Sequence, residues 1–497
     1  MKQGEKAIRQ LLSERFLVRL LVISLILLLP ALMTACADDD DDNDDNDDNN
    51  DATPGDDDTA DDDTGDDDTI DDDTGDDDTV DDDTGDDDTV DDDTVDDDTV
   101  DDDTVDDDTV DDDTGDDDTV VEEEEFIAVG PVALADSVDT LLALHEGQGM
   151  TVWYEDTETI DLMFSGVDLP AKIRAYLQSV LDPARRQFVM LVGSHGTLPM
   201  RLVDPDPEHP GEYDCYTDVY YADLAGDFDL DGDGIYGEYG QDDYDWQPEM
   251  HVARLPFDNP DTLEFVADKI ATFALDDPAY KWDGLLGAGI IAIPNDSAII
   301  IEMIHNFIIE PAGMDAYRMY QPPSLILPDA WLIDDSLVKY WGANPSGFVM
   351  WASHGSSECA FAGNAFICFD DAPSLSDEQP SVIYSSSCSN GNITNPNNLG
   401  MALLHHGGVT FVGSTAVTHP GDIGEASLVF LLMVDHTVVQ NTPLATAMGD
   451  SKARYMDIYF PLAWYDAGLY LRNFFGFNML GDPALRYWNE RPEIDIY

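Results

Sequence analysis

Basic side chains are what this sequence most conspicuously lacks. Lysine and arginine number 20 against 109 aspartates and glutamates, a formal charge of −89. A surface so acidic repels phosphate backbones, which argues against any nucleic-acid partner. Cysteine is also sparse: five in 497 residues are too few for a disulfide framework in a chain of this size. One long apolar run exists, "LLVISLILLLPALM", and it lies near the amino terminus.

That run has the layout of an export signal. Lys2, Lys6, Arg9, Arg15 and Arg19 precede or open it, and Thr34, Ala35 and Cys36 follow. Small residues leading into a cysteine resemble a bacterial lipoprotein cleavage site, so residues 1–36 are expected to be a signal peptide with Cys36 acylated. The alternative is an uncleaved membrane helix. Either reading places the chain in the bacterial cell envelope or at the cell surface, held to a membrane.

Residues 37–125 are a low-complexity acidic tract built on "GDDDT" and "VDDDT" repeats. It holds 53 of the acids and no base. Like charges this dense repel one another and the tract has almost nothing to bury, so a disordered stalk is expected. Residues 126–497 keep 54 acids against 15 bases.

From residue 126 the pattern changes. "MTVWYE", "RRQFVMLVGS", "EMHVARL", "GLLGAGIIAI", "SGFVMWAS", "PSVIYSS" and "GGVTFVGS" are apolar runs of buried-strand type. Between them, "DSVDTLLALHEGQG", "LPAKIRAYLQSVL", "NPDTLEFVADKIATFA", "SAIIIEMIHNFIIEPAG" and "PDAWLIDDSLVKYWG" have helical spacing. The alternation predicts an α/β fold, with doubly wound, mainly parallel sheets in two adjoining subdomains. The boundary is set near "DDPAYKWDG", giving 126–280 and 281–497.

In such sheets chemistry collects where strands end. "FVMWASHGSS" delivers His354 and Gly355, "VIYSSSCSNG" delivers Cys388, and "VTFVGSTAVTH" delivers Ser414, Thr415 and His419. The 34 residues from His354 to Cys388 suit one helix-containing crossover, which would bring both to one edge. An imidazole beside a thiol favours the nucleophilic thiolate and carries its proton. The N–H groups of Gly355 and Cys388 are candidates for an oxyanion hole. The competing reading is a structural cysteine beside a core histidine. Cys359 and Cys368 are close enough in sequence for a bridge.

These segments resemble the gingipain family of cysteine peptidases, within the caspase-like fold. The resemblance spans nearly all of 126–497 and rests on "FVMLVGSHGTLP", "HVARLPFDNPDTLEFVADKIATF", "WASHGSS", "SSSCSNGN" and "MLGDPALR". It implies His354 as general base, Cys388 as nucleophile, and a protein or peptide as substrate. The family's orienting carboxylate would fall in "IAIPNDSAII", where Asp296 is nearest. The stretch that carries an Arg-selecting acid in some members is shorter here, so no preference for Arg or Lys follows. A transpeptidase using the same thioester, and a calcium-binding surface module without activity, are the alternative functions. The resemblance also makes His195 structural. His405 and His406, in "LLHHGG", read as a helix end capped by glycine.

"DFDLDGDGIYGE" is a candidate calcium loop. In the frame beginning at Asp227, Asp229, Asp231 and Asp233 follow at alternate places, Gly232 takes the turn and Glu238 stands twelfth. A second frame begins at Asp229, but puts Gly240 at the twelfth place. The first frame is the expectation, with a structural calcium ion on Asp227, Asp229, Asp231, Asp233 and Glu238.

Overall fold

The computed structural model describes residues 123–292, 295–419, 425–462 and 467–490. The expected signal peptide, Cys36 and all but the last three residues of the acidic tract lie outside the described residues.

Among the described residues, eleven strands form the main sheet: β1 (Glu124–Gly130), β2 (Thr151–Asp156), β3 (Arg186–Val192), β4 (His251–Leu255), β5 (Asp283–Ala288), β6 (Asp315–Tyr320), β7 (Ala330–Trp331), β8 (Phe348–Ala352), β9 (Ser381–Ser386), β10 (Gly408–Ser414) and β11 (Phe477–Gly481). Their order is β7-β6-β5-β8-β9-β10-β11-β4-β3-β1-β2. All pairings are parallel except β10 with β11. Within this one sheet, the strands of residues 124–255 and those of residues 283–481 form two groups that meet where Leu480 of β11 pairs with Arg254 of β4. The junction at 276–284 is a 3-10 turn, Ala279–Trp282, leading into β5. Because β11 reverses against β10 yet runs with β4, the two groups point in opposite directions. Their carboxyl ends therefore lie on opposite edges of the sheet.

Helices α1 (Asp139–Gly147), α2 (Thr157–Met163), α3 (Leu169–Val180), α4 (Pro260–Ala274), α5 (Ala298–Ile304), α6 (Ser336–Ala343), α7 (Leu399–His405), α8 (Glu425–Val434), α9 (Leu444–Tyr459) and α10 (Ala467–Gly476) connect and cover the strands. Neighbouring residues show the double covering: Phe411 of β10, level with Ile383 of β9, lies against Gly400 of α7, while Tyr384, next in β9, meets Phe430 of α8 with ring centres 6.2 Å apart. Adjacent strand residues point to opposite faces, so α7 and α8 lie on opposite sides. Burial on both faces explains why β8 is apolar without alternation, all five residues being buried. Local chemistry fixes helix starts. Asn259 Oδ1 accepts the Thr262 N–H at 2.9 Å before Pro260 opens α4, and Asp168 Oδ1 accepts from Ala171 at the head of α3.

Three local expectations change. β1 begins at Glu124, inside the tract assigned to the stalk, because Arg185 and Arg186 neutralise Glu125 and Glu124 at 2.6 and 3.0 Å. "PDAW" contains the short strand β7, and only the later part of that segment is helical. β11 was not expected as a strand; it follows α10 directly, with Gly476 ending the helix and no loop before Phe477.

Candidate active site

Register brings the two candidate residues His354 and Cys388 to one edge. In the parallel pair β8 and β9 the last rung is Ala352 with Ser386. His354 and Cys388 each lie two residues beyond that rung, at the carboxyl edge of neighbouring strands. Contact is direct at Gly355: a Cβ built there would lie 2.5 Å from the Cys388 carbonyl oxygen and 2.9 Å from Ser387 Cβ. Only glycine allows the His-Gly segment to sit on the cysteine turn. Ser353 Oγ and Ser387 Oγ hydrogen-bond at 3.0 Å, tying the two strand ends again.

The turn at Cys388 is sharp. Ser389 has φ 57°, a left-handed conformation that non-glycine residues adopt at a cost. Its N–H donates to Ala416 O at 2.9 Å, and the Gly391 N–H to Ser414 O at 2.8 Å. Cys388 is partly exposed, and its Sγ lies 3.7 Å from both Thr418 O and Thr418 Oγ1. The Cys388 N–H makes no hydrogen bond with a described residue.

Asn390 holds this turn from inside. It is fully buried. Its Nδ2 donates to Ser356 O at 2.6 Å and Cys359 O at 3.0 Å, while its Oδ1 accepts from Ser385 Oγ at 2.8 Å and from Trp351 Nε1 at 3.4 Å. One amide thus links β8, β9 and the loop after His354. That loop is closed by the Cys359–Cys368 disulfide across the hairpin Cys359–Ala362 and Asn364–Cys368. Asn390 was missed in the sequence, although the Asn-Gly after "CS" was visible there.

His354 is exposed, and its Nε2 lies 3.0 Å from the carbonyl oxygen of Ile291. Asp296, expected as the orienting acid, is engaged elsewhere: its Oδ2 accepts from Ser324 Oγ at 2.6 Å and its Oδ1 from the Ala298 N–H. The group that faces His354 Nε2 is therefore a backbone carbonyl. Ser414 and Thr415, expected to touch substrate, are buried. Ser414 Oγ donates to Ala416 O, and Thr415 Oγ1 to Tyr216 O at 2.6 Å. They shape the segment that meets Cys388, and Thr418 is the residue that reaches the sulfur. His419 is half-buried, its backbone clamped by Asn473 through the His419 N–H and carbonyl.

His195 lies three residues past β3, in the strand group that runs opposite to β8 and β9. Its Nδ1 accepts the Met200 N–H and its ring stands against Tyr216. Burial and the Arg254 guanidinium hold its pKa below the usual histidine value. Arg254 itself is fully buried and binds Asp218 through two nitrogens at 2.7 and 2.9 Å. His405 ends α7, His406 caps it with its Nδ1 3.0 Å from Asp377, and Gly407 takes the positive φ of a helix stop.

In the acidic loop, carboxylate oxygens of Asp229, Asp231 and Asp233 lie within 4.8 Å of one another. The Gly234 N–H donates to Asp229 Oδ1 at 3.0 Å, and Gly232 and Gly234 both have positive φ. This convergence corresponds to the frame beginning at Asp229. Asp227 stays out of it: its Oδ1 accepts the Asp229 N–H and its backbone pairs with Asp243. Glu238 is also outside the trio. It is buried, Oε1 accepts from Gln241, and Oε2 has no partner. Burial, then the charges of Asp233, Asp242 and Asp231, push its pKa up.

A doubly wound sheet presenting a cysteine and a histidine at one strand edge defines a class of thiol hydrolases. The sequence model of peptidase family C25 matches residues 121–488, so the chain belongs to this family, the gingipain family, and is a cysteine peptidase acting on proteins or peptides. The solved complex of the pro- and mature domains of Porphyromonas gingivalis RgpB has the same fold, with TM-score 0.58 and 14% identity over 74% of this chain and 81% of that one. The crystal structure of the Arg-specific cysteine proteinase gingipain R (RgpB) gives 0.56 at 15%, with 75% and 79% covered. No curated protein sequence matches the chain.

Proposed function

We propose that the chain is an endopeptidase in which Cys388 is the nucleophile and His354 its proton carrier. The observation that carries this is the shared register: both residues lie two places past one β-rung, with Gly355 packed on the Cys388 carbonyl. Nε2 of His354 faces the Ile291 carbonyl, which leaves Nδ1 to take the thiol proton. The sulfur attacks the peptide carbonyl, and the Cys388 N–H, with that of Gly355, stabilises the oxyanion. Collapse forms a thioester; the amine leaves with the proton from His354. Water then attacks the thioester, giving up a proton to His354, and the thiol returns. Cys388→Ala and His354→Ala each abolish turnover with the melting temperature preserved, whereas His195→Ala keeps most activity. Activity in Cys388→Ala would refute the assignment.

The same reading extends to the envelope and to calcium. A signal peptide and an acylated Cys36 would hold the peptidase at the bacterial surface on its acidic stalk. Among the described residues no helix is long and apolar enough to cross a membrane. A calcium ion would sit on Asp229, Asp231 and Asp233. The fit rests on three converging carboxylates, whose mutual repulsion a cation offsets, and on glycines that permit the turn. The ion would be structural, bracing the loop away from the thiol chemistry.

A further inference from the structure

The segment after β6 turns large apolar side chains outward. Leu325 is 97% exposed and Leu327 80%, with Ile333 and Trp331 also exposed. Scattered exposed leucines need no explanation, but several in one short segment do. The segment is firmly placed. Leu332 is fully buried and its N–H donates to Tyr320 O at 2.8 Å. The Gln321 N–H donates to Ala288 O, Gln321 Oε1 accepts the Ile290 N–H, and Ser324 Oγ donates to Asp296. Pro322, Pro323 and Pro328 fix φ along it. The leucines are thus held out on a stiff arm.

The arm is continuous with the dyad. β6 runs parallel to β5 and β5 to β8, so the arm leaves the same sheet edge as His354. Ile290 is held by Gln321 and pairs with Asp296, and the next residue, Ile291, supplies the carbonyl facing His354. On its other side Asn364, at the tip of the disulfide hairpin, donates to Asp334. Of the charges nearby, Arg318 is taken by Glu302 at 2.9 Å and Asp329 at 3.0 Å, and Asp334, at the far end of the arm, accepts from Asn364. What the arm offers a passing chain is apolar surface.

Resting on the endopeptidase reading above, we infer that Leu325 and Leu327 form a docking arm for a bulky apolar side chain of the peptide substrate, away from the scissile bond. Selectivity would then come from this arm. Because it is preorganised, engaging it costs little conformational entropy.

The test uses the full chain and a randomised peptide pool, with cleavage sites read by mass spectrometry. Wild type should enrich Leu, Ile, Phe or Trp about tenfold at one position two or more residues from the cut, a difference of about 1.4 kcal/mol. Leu325→Ser with Leu327→Ser should lose that enrichment, keep the residue preferred at the cut, and keep the rate at which a small alkylating agent labels Cys388. The double variant retaining the apolar preference would overturn the inference, as would a wild type without one. So would an unchanged preference accompanied by loss of self-association or of binding to phospholipid vesicles, which would assign the arm to a second copy or to a membrane. Cys388→Ala run in parallel keeps the claims apart: cleavage with the same apolar preference there would remove the nucleophile and leave the arm standing.

Discussion

Replacing Asn390 should damage the peptidase without touching the dyad. Three of its hydrogen bonds are 3.0 Å or shorter, to Ser356 O, Cys359 O and Ser385 Oγ. Asn390→Ala leaves the Ser356 carbonyl, the Ser385 hydroxyl and the Trp351 indole N–H without this partner, while the Cys359 carbonyl keeps the Ser356 N–H at 2.8 Å. Each orphaned group costs about 1–3 kcal/mol, part of which water entering the small cavity recovers. A loss of about 3 kcal/mol is expected, against a total stability of roughly 5–15 kcal/mol for ordinary domains. At about 2 °C per kcal/mol for a domain this large, the melting temperature should fall by about 6 °C. Asn390→Asp keeps the shape but turns acceptor oxygen toward two acceptor carbonyls, and should be at least as damaging. Displacing the Cys388 turn by a fraction of an ångström should also lower kcat by about 10²-fold. Calorimetry and peptide turnover on both variants decide the matter. Melting within 1 °C of wild type together with normal kcat would show that the Asn390 network is dispensable.

Gly355→Ala should cost about 1–3 kcal/mol and most activity, since the new methyl group meets the Cys388 carbonyl; a fully active variant would contradict the contact. Removing the Cys359–Cys368 bridge by paired serines should lower stability by about 2–3 kcal/mol for a loop this short, read by melting with intact chain as control. Chelating calcium should lower the melting temperature of wild type, and Asp229→Ala with Asp231→Ala should remove that response; equal melting with and without calcium in wild type would leave the loop a solvated turn. For His145, burial opposes the charge, but the Asp482 carboxylate 2.7 Å away outweighs it and raises the pKa above 6.5. Its stabilising contribution is therefore full below pH 6.5 and is lost as pH rises through the raised value. His145→Gln should flatten that part of the stability–pH curve, and an unchanged curve would refute the assignment.

The strand ends were legible because buried parallel strands read as unbroken apolar runs, and small residues with His or Cys punctuate them. Asn390 and Gly355 act through contacts across 30 or more residues, which periodicity does not reveal. The group facing His354 Nε2 is the Ile291 carbonyl, and every residue has a carbonyl, so no sequence pattern marks it. Asp296 looked right by position, but its carboxylate is drawn to Ser324. Ser414 and Thr415 were sited correctly at a strand end, yet their hydroxyls turn inward to backbone carbonyls. In the acidic loop both frames place glycine sixth, and the sequence favoured the one with an acid at the twelfth place; the backbone instead gathers Asp229, Asp231 and Asp233. β1 was hidden by its glutamates, whose partners Arg185 and Arg186 lie some 60 residues away.

The most direct test is to treat the protein with a peptidyl acyloxymethyl ketone and map the adduct. The label should fall on Cys388 with loss of activity, and His354→Ala should slow labelling by at least about 10²-fold. A label on Cys215, or continued cleavage with Cys388 fully modified, would contradict the account.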